Sequence, residues 1–159
     1  MNRMILVNLE KCVGCRNCAL ACSFKNAGMF GLARARIGTI WIPKIGMNVP
    51  MVCQHCTKPL CMDVCPVGAI SRDEETEAVV LNPDLCIGCK MCMIVCPFGG
   101  PRIEPETGIM IKCDLCGGDP ECVKHCVYGA LEFVSADEAA YIKRRAGAGR
   151  LAGALKQIA

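Results

Sequence analysis

Sixteen cysteines in 159 residues constrain this chain more than any other feature, because they fall into four sets of four with none left over. Cys12, Cys15, Cys18 and Cys22 are spaced C-x2-C-x2-C-x3-C, and the same spacing recurs as Cys86, Cys89, Cys92 and Cys96. The likeness extends beyond sulfur: Asn8-Leu9-Glu10-Lys11 precedes one run, Asn82-Pro83-Asp84-Leu85 the other, and Val13-Gly14 matches Ile87-Gly88. A second pair interleaves with the first. Cys53, Cys56, Cys61 and Cys65 read C-x2-C-x4-C-x3-C, and Cys113, Cys116, Cys122 and Cys126 read C-x2-C-x5-C-x3-C. An internal repeat of this kind has to be read before individual elements.

Cysteine also distorts the composition. The 53% hydrophobic content counts the cysteines, and aromatic residues make up only 4%. Ala, Val, Ile and Leu are left to fill a core, so something besides apolar packing must hold a chain of this length together. No stretch approaches the roughly 20 apolar residues of a membrane span. The opening residues Met1 to Asn8 carry one charge and a four-residue apolar run, so we expect no leader and a cytoplasmic chain. In a reducing compartment clustered cysteines bind metal rather than form disulfides.

A cubane [4Fe–4S] cluster takes four thiolates. Three cysteines spaced C-x2-C-x2-C wrap one face, and in the bacterial two-cluster run the fourth Cys ligates the other cluster. Structural zinc draws two ligands from each of two C-x2-C knuckles. A third cysteine so close behind, in two separate runs, exceeds what a tetrahedral ion can use. The spacing therefore points to four [4Fe–4S] clusters.

With all sixteen cysteines in this order, the chain resembles the four-cluster electron-transfer subunits, or polyferredoxins, of molybdenum and tungsten oxidoreductases of the dimethyl sulfoxide reductase type. The resemblance covers Asn8 to Val134. It implies that fourth cysteines are exchanged, first run with fourth and second with third. Cluster 1 would then use Cys12, Cys15, Cys18 and Cys126, and cluster 2 Cys113, Cys116, Cys122 and Cys22. Cluster 3 would use Cys53, Cys56, Cys61 and Cys96, and cluster 4 Cys86, Cys89, Cys92 and Cys65. Compactness makes the chain look most like the small iron–sulfur subunit of a tungsten aldehyde oxidoreductase. The implied partners are a large molybdenum or tungsten catalytic subunit, and a flavin subunit or soluble ferredoxin. Copies could also associate end to end. The competing readings are a free-standing soluble polyferredoxin, the iron–sulfur subunit of a formate dehydrogenase or hydrogenase complex, and a zinc-organised interaction module.

The expected fold is α+β: two interleaved bacterial ferredoxin-like units, a β-ribbon insertion and a C-terminal helix. Residues 1–134 form the four-cluster part, with an outer unit of 1–22 and 109–134, an inner unit of 50–108 and the ribbon at 23–49. Met4–Leu9, Ala78–Leu81, Ile109–Lys112 and Leu131–Val134 read as short strands. Each C-x3-C end fits a turn or two of helix, stopped by Pro66 and Pro97. Cys22 and Cys126 lack that proline, so their helices are expected to run on. Thr39–Ile45 is β-branched, with Pro43 marking an edge strand. Ser135-Ala136-Asp137-Glu138 is a capping-box pattern, opening a helical tail (135–159) for subunit docking that loosens around Gly147 and Gly149 and frays at its tip.

Between Lys11 and Lys58 there are seven cations (Lys11, Arg16, Lys25, Arg34, Arg36, Lys44, Lys58) and no acid until Asp63. They read as a solvated face and counter-charge, and Asp73, Glu74, Glu75 and Glu77 as a solvated loop. Scattered cations with no readout motif exclude nucleic acid. His55 and His125 adjoin ligand cysteines and are expected to donate to or pack on them, and Lys112 and Lys124 to raise a local reduction potential. Trp41 fits core or interface equally, and Met91 and Met93 should shield a cluster. Four thiolates around each 2+ core turn the formal net charge of +3 into about −5. Every cysteine is committed, and no nucleophile–base set or nucleotide loop appears, so the chain alone is no enzyme. Protein purified without oxygen should carry about 16 iron and about 16 sulfide per chain. Elemental and sulfide analysis checks this, and zinc without sulfide would end the iron–sulfur reading.

Overall fold

The computed structural model describes residues 3–158; Met1, Asn2 and the Ala159 tip, on which the leader and fraying expectations partly fall, lie outside them. In chain order the elements are β1 (Arg3–Val7), α1 (Asn17–Ala27), β2 (Gly38–Ile42), β3 (Met47–Met51), α2 (Leu60–Asp63), β4 (Ile70–Arg72), β5 (Val79–Leu81), α3 (Met91–Val95), β6 (Arg102–Ile103), β7 (Met110–Ile111), α4 (Glu121–Lys124), β8 (Leu131–Ser135) and α5 (Ala136–Ile158). Single 3-10 turns lie at Leu32–Arg34, Pro43–Ile45 and Leu115–Gly118. This is a mixed fold of short helices and small strands closed by one long C-terminal helix.

The strands make four antiparallel pairs: β1 with β8, β2 with β3, β4 with β5 and β6 with β7. The first joins the two ends of the chain, from Arg3 opposite Ser135 to Val7 opposite Leu131. Arg3 seals its edge, its guanidinium 4.0 Å above the Phe133 ring. β1 stops short of the expected Leu9 because the Asn8 side chain takes the Glu10 N–H at 3.0 Å and turns the chain. β4 and β6 carry no two-residue alternation long enough to read, and sequence reasoning missed both. Their hairpins are alike: Asp73 Oδ1 accepts the Thr76 N–H at 2.8 Å, and Glu104 Oε2 accepts the Thr107 N–H at 2.7 Å. Asp73 and Glu104 are thus turn formers, and these hydrogen bonds hold both carboxyls below the usual range.

Four helices form two pairs across the chain, α1 against α4 and α2 against α3. The short helices end before their prolines, as expected. α1 runs on past Cys22 to Gly28, whose left-handed φ of 67° lets its N–H cap the Phe24 carbonyl. α4 does not run on, contrary to expectation. Its chain turns after Lys124, bringing the Gly129 N–H to the Cys126 carbonyl at 2.9 Å and the Ala130 N–H to Cys126 Sγ at 3.2 Å. Pro43 opens the turn between β2 and β3 rather than lying on an edge strand, its fixed φ suiting the first position of a helical turn. α5 is capped by Ser135, whose Oγ accepts the Glu138 N–H at 3.2 Å. It continues unbroken through Gly147 and Gly149. The helical carbonyls on either side outweigh a glycine cost of about 1 kcal/mol each.

The core is built on sulfur. Its largest buried cluster joins Ile5, Ala19, Ile37, Val52, Leu115 and Leu131 to Cys22, Cys53, Cys113 and Cys122. A second gathers Ile70, Val79 and Met110 around Cys61 and Cys92. A third, Leu6, Val134 and Ala139, seats α5 on β1 and β8. Gly88, at φ 67°, has no room for a side chain: a Cβ would lie 3.0 Å from the Gly108 carbonyl oxygen. Gly68 has a similar φ of 62° but open space. Gly88→Ala should therefore cost about 2–3 kcal/mol and Gly68→Ala about 1 kcal/mol. The rate at which cluster absorbance is lost in denaturant checks the order.

Candidate iron–sulfur sites

Each cysteine run begins with a loop that ordinary residues rarely adopt. In the two repeat runs Gly14 and Gly88 have φ 73° and 67°, and the basic residues that follow the second cysteines, Arg16 and Lys90, have φ 64° and 66°. Arg16 and Lys90 are the N-caps of α1 and α3, so each loop hands its third cysteine to the first turn of a helix. In the other runs His55 (46°), Leu115 (58°) and Cys116 (52°) take left-handed angles. Such positions cost about 1–2 kcal/mol each in an L-residue, so the fold must gain elsewhere from curling these loops around their sulfurs.

The sixteen thiols are free of disulfides, and they gather in space across the runs. Cys12, Cys15, Cys18 and Cys126 line one small cavity of about 20 Å³. Cys53, Cys56, Cys61 and Cys96 line another of about 180 Å³. Cys22, Cys113 and Cys122 share the main core, and the Cys116 thiol feels Cys22 electrostatically. Cys92 lies within reach of Cys86 and Cys89, and Cys65 and Cys86 pack against the cluster that buries it. Neighbouring gatherings also lie within electrostatic reach of one another: Cys122 feels Cys18, Cys113 feels Cys53, and Cys92 feels Cys61.

Burial and crowding shape the thiol chemistry. Burial, then neighbouring thiols, pushes Cys18 and Cys92 up to about 11 and Cys113 to about 12, with Cys122 also raised. Burial likewise raises Cys56, Cys61 and Cys116. Thiolates packed this closely need a cation to balance them, and ligation must displace their protons. Among the described residues no set of His, Cys, Asp or Glu side chains is arranged to hold a single metal ion. The sulfurs suit the corners of a larger group.

Backbone donors prepare those sulfurs for negative charge. The fourth cysteines Cys65, Cys96 and Cys126 accept N–H groups from Ala69, Gly100 and Ala130 at 3.3, 3.4 and 3.2 Å. Cys22, on its longer helix, takes the Arg36 N–H at 3.3 Å instead. Cys53 and Cys113 accept from His55 and Leu115, each at 3.5 Å. Hydrogen bonds to cluster sulfurs raise reduction potential. His55 is wholly buried and accepts the Val79 N–H on Nδ1 at 3.0 Å. Its ring proton therefore sits on Nε2, a buried donor with no partner in the protein. Burial, then the Lys112 charge, depresses its pKa to about 3. The thiol grouping and the sulfur-directed N–H donors both fit [4Fe–4S] clusters.

Other expected residues divide. Lys112 is buried, its Nζ donating to the Val79 and Cys113 carbonyls. Lys124 is exposed and tied to Asp119 and Glu121, so its charge is spent on surface carboxylates. His125 is exposed too, with Nδ1 3.0 Å from the Glu121 carbonyl oxygen, not a sulfur. Met93 packs beside Cys92, whereas Met91 is exposed. Trp41 is half exposed on β2. Three of the seven early cations find acids far along the chain: Lys11 pairs with Glu132, Arg34 with Glu104 and Glu106, and Arg36 with Asp114. Sequence reasoning missed Arg72, which donates to the Cys56, Thr57 and Glu77 carbonyls and clamps the second cysteine loop onto the β4–β5 hairpin. A single arginine after a short apolar pair gave no signal for that.

These features define an iron–sulfur electron-transfer protein with four [4Fe–4S] clusters. The chain belongs to the 4Fe-4S dicluster domain family, whose pattern matches residues 46–136 and again residues 11–69. It is 42% identical over 122 residues to the polyferredoxin-like subunit of an aliphatic sulfonate oxidoreductase from Pyrococcus furiosus, covering 77% of this chain and 70% of that one. It is 36% identical over 152 residues to the electron transfer subunit of thiosulfate reductase from Salmonella typhi, covering 86% and 78%. Among solved structures it is similar to a chain of the active-site complex BamBC of benzoyl coenzyme A reductase (27% identity, TM-score 0.51, 83% and 77% covered). If the clusters hold these loops in shape, oxidative removal of iron under a chelator should abolish folded circular dichroism and expose about 16 thiols to a thiol reagent.

Proposed function

We propose that this chain is the electron-transfer subunit of a molybdenum or tungsten oxidoreductase, relaying single electrons between a large catalytic subunit and a second redox partner. The observation that carries it is the sequence of neighbouring sulfurs: Cys18, Cys122, Cys113 and Cys53 share the main core, and Cys61 and Cys92 share the second, each pair within electrostatic reach. The clusters supply one-electron storage when bound. The chain's own part is to space the sites closely, wrap them in N–H donors and keep water from the buried cysteines.

The ligand sets follow the exchanged pattern: Cys12, Cys15, Cys18 with Cys126; Cys113, Cys116, Cys122 with Cys22; Cys53, Cys56, Cys61 with Cys96; Cys86, Cys89, Cys92 with Cys65. The two cysteine-lined cavities each support one complete set. With those sets, the contacts order the clusters 1–2–3–4, two interleaved ferredoxin-like units in series. A tungsten aldehyde oxidoreductase as the enzyme served rests on the family resemblance and the short, compact chain. Partner surfaces are present at both ends. Val13 and Val127 are exposed beside the first set, and Ile87, Met91 and Ile94 beside the fourth. α5 projects further apolar and basic residues, Tyr141, Lys143, Arg144 and Leu151, for subunit docking.

Ligand exchange is tested by paired substitutions in the holoprotein. Cys126→Ser should perturb the same electron paramagnetic resonance signal as Cys12→Ser and leave untouched the one perturbed by Cys122→Ser. The reverse grouping would assign Cys126 to its own run. Co-purification with a large molybdenum- or tungsten-bearing chain supports the subunit reading; isolation as a lone monomer favours a free polyferredoxin.

A further inference from the structure

Lys112 is the only ionic side chain among the described residues that is buried, at 3% exposure. It follows β7 directly and precedes Cys113, so its backbone belongs to the outer pair of sites. Its side chain reaches the other way. Together with Cys53, Cys56, Cys61 and Cys96 it lines the cavity of the third set, while its Nζ donates to the carbonyl of Cys113, in the second set. Its other acceptor is the carbonyl of Val79, the residue whose N–H is held by His55. Both acceptors are neutral. A buried ammonium hydrogen-bonded only to carbonyls is expensive unless anionic groups stand near it, and here two thiolate sets flank it. Its positive charge opposes the burial that raises Cys61 and Cys56 on one side and Cys113 on the other.

We propose that Lys112 is a fixed internal cation at the junction of clusters 2 and 3, raising the reduction potentials of those two and easing electron passage between the outer and inner pairs. This rests on the ligand sets proposed above. The step served moves one electron from one cluster to the next; no bond forms or breaks and no proton moves. Lys112 acts as a potential-setting residue, through its charge. Clusters 1 and 4, bounded by the exposed Cys15 and Cys89, lie beyond its neighbours and stand closer to water, where charge is screened.

The test is an anaerobic redox titration of the full holoprotein followed by electron paramagnetic resonance, with iron and sulfide counted in every sample. A wild-type titration that resolves other than four clusters at full iron refutes the ligand reading itself, before any variant is made. Lys112→Met removes the charge, and Lys112→Gln removes it while keeping an N–H donor for the two carbonyls. In both, two of the four clusters should become about tenfold harder to reduce, about 59 mV for a one-electron couple. Lys112→Arg should keep all four potentials. Neutral variants with full iron and four unchanged potentials, or with all four shifted alike, overturn the proposal. If neither neutral variant holds iron, Lys112→Arg decides: wild-type potentials uphold the charge, and a tenfold displacement at full iron refutes it.

Discussion

The bond between cysteine sulfur and iron is the interaction on which this structure depends. Ordinary domains of this size place leucine, isoleucine and phenylalanine where strands and helices meet. Here those places hold Cys22, Cys53, Cys113 and Cys122, with few large apolar side chains among them. The loops that bring sulfurs together take left-handed angles at Arg16, His55, Lys90, Leu115 and Cys116, which local preference resists. Nothing within the loops repays that strain, and the short helices α2 and α4, of four residues each, have no stability of their own. Ligation would supply what these segments lack, so folding and metal loading should be one event.

Four anionic groups inside a small chain make charge the second constraint. The protein answers it at three ranges. Backbone N–H groups meet the sulfurs directly, most regularly at the fourth cysteines, where the donor lies four residues on in three runs of four. One ammonium is buried among the sites. The remaining cations lie at the surface, and several bind acids there: Arg34 with Glu104 and Glu106, Arg36 with Asp114. Those pairs join the early cationic stretch to the later hairpins, fastening the ribbon region to the second repeat. The early run of positive charge is therefore partly structural fastening and only partly counter-charge.

Much of this was legible because cysteine spacing speaks for chemistry directly. A C-x2-C-x2-C loop has few purposes, and its repetition named the cofactor and the short helices before any element was placed. β2, with its β-branched Thr39, Ile40 and Ile42, and the largely apolar β8 could be read, as could the cap at Ser135. What could not be read depends on partners distant in sequence. β6 is two residues long and exists because β7 lies beside it. The abrupt end of α4 is set by the pull of Cys126 Sγ on the Ala130 N–H, whereas a proline count implied continuation. Lys124 and Lys112 looked equivalent as cations near ligands. Only the fold separates them, giving one to Asp119 and Glu121 at the surface and burying the other.

That separation bears on how a series of like centres can conduct. If four clusters had equal surroundings, each electron added would repel the next, and two would settle as far apart as the chain allows, at its ends. A cation at the middle junction works against this by favouring charge where the two units meet. The repeat itself does not provide it: the counterpart of Cys113 in the second run is Cys53, preceded by the apolar Val52 where Cys113 has Lys112. On the proposed ligand sets, each ferredoxin-like unit could form its own pair of sites from the shared cysteine pattern. In the proposed arrangement the lysine breaks that symmetry where the two units come within electrostatic reach, at Cys53 and Cys113. Joining two ferredoxin-like pairs into a single conductor thus takes more than proximity; the field at the join must be set, and a single buried side chain can set it.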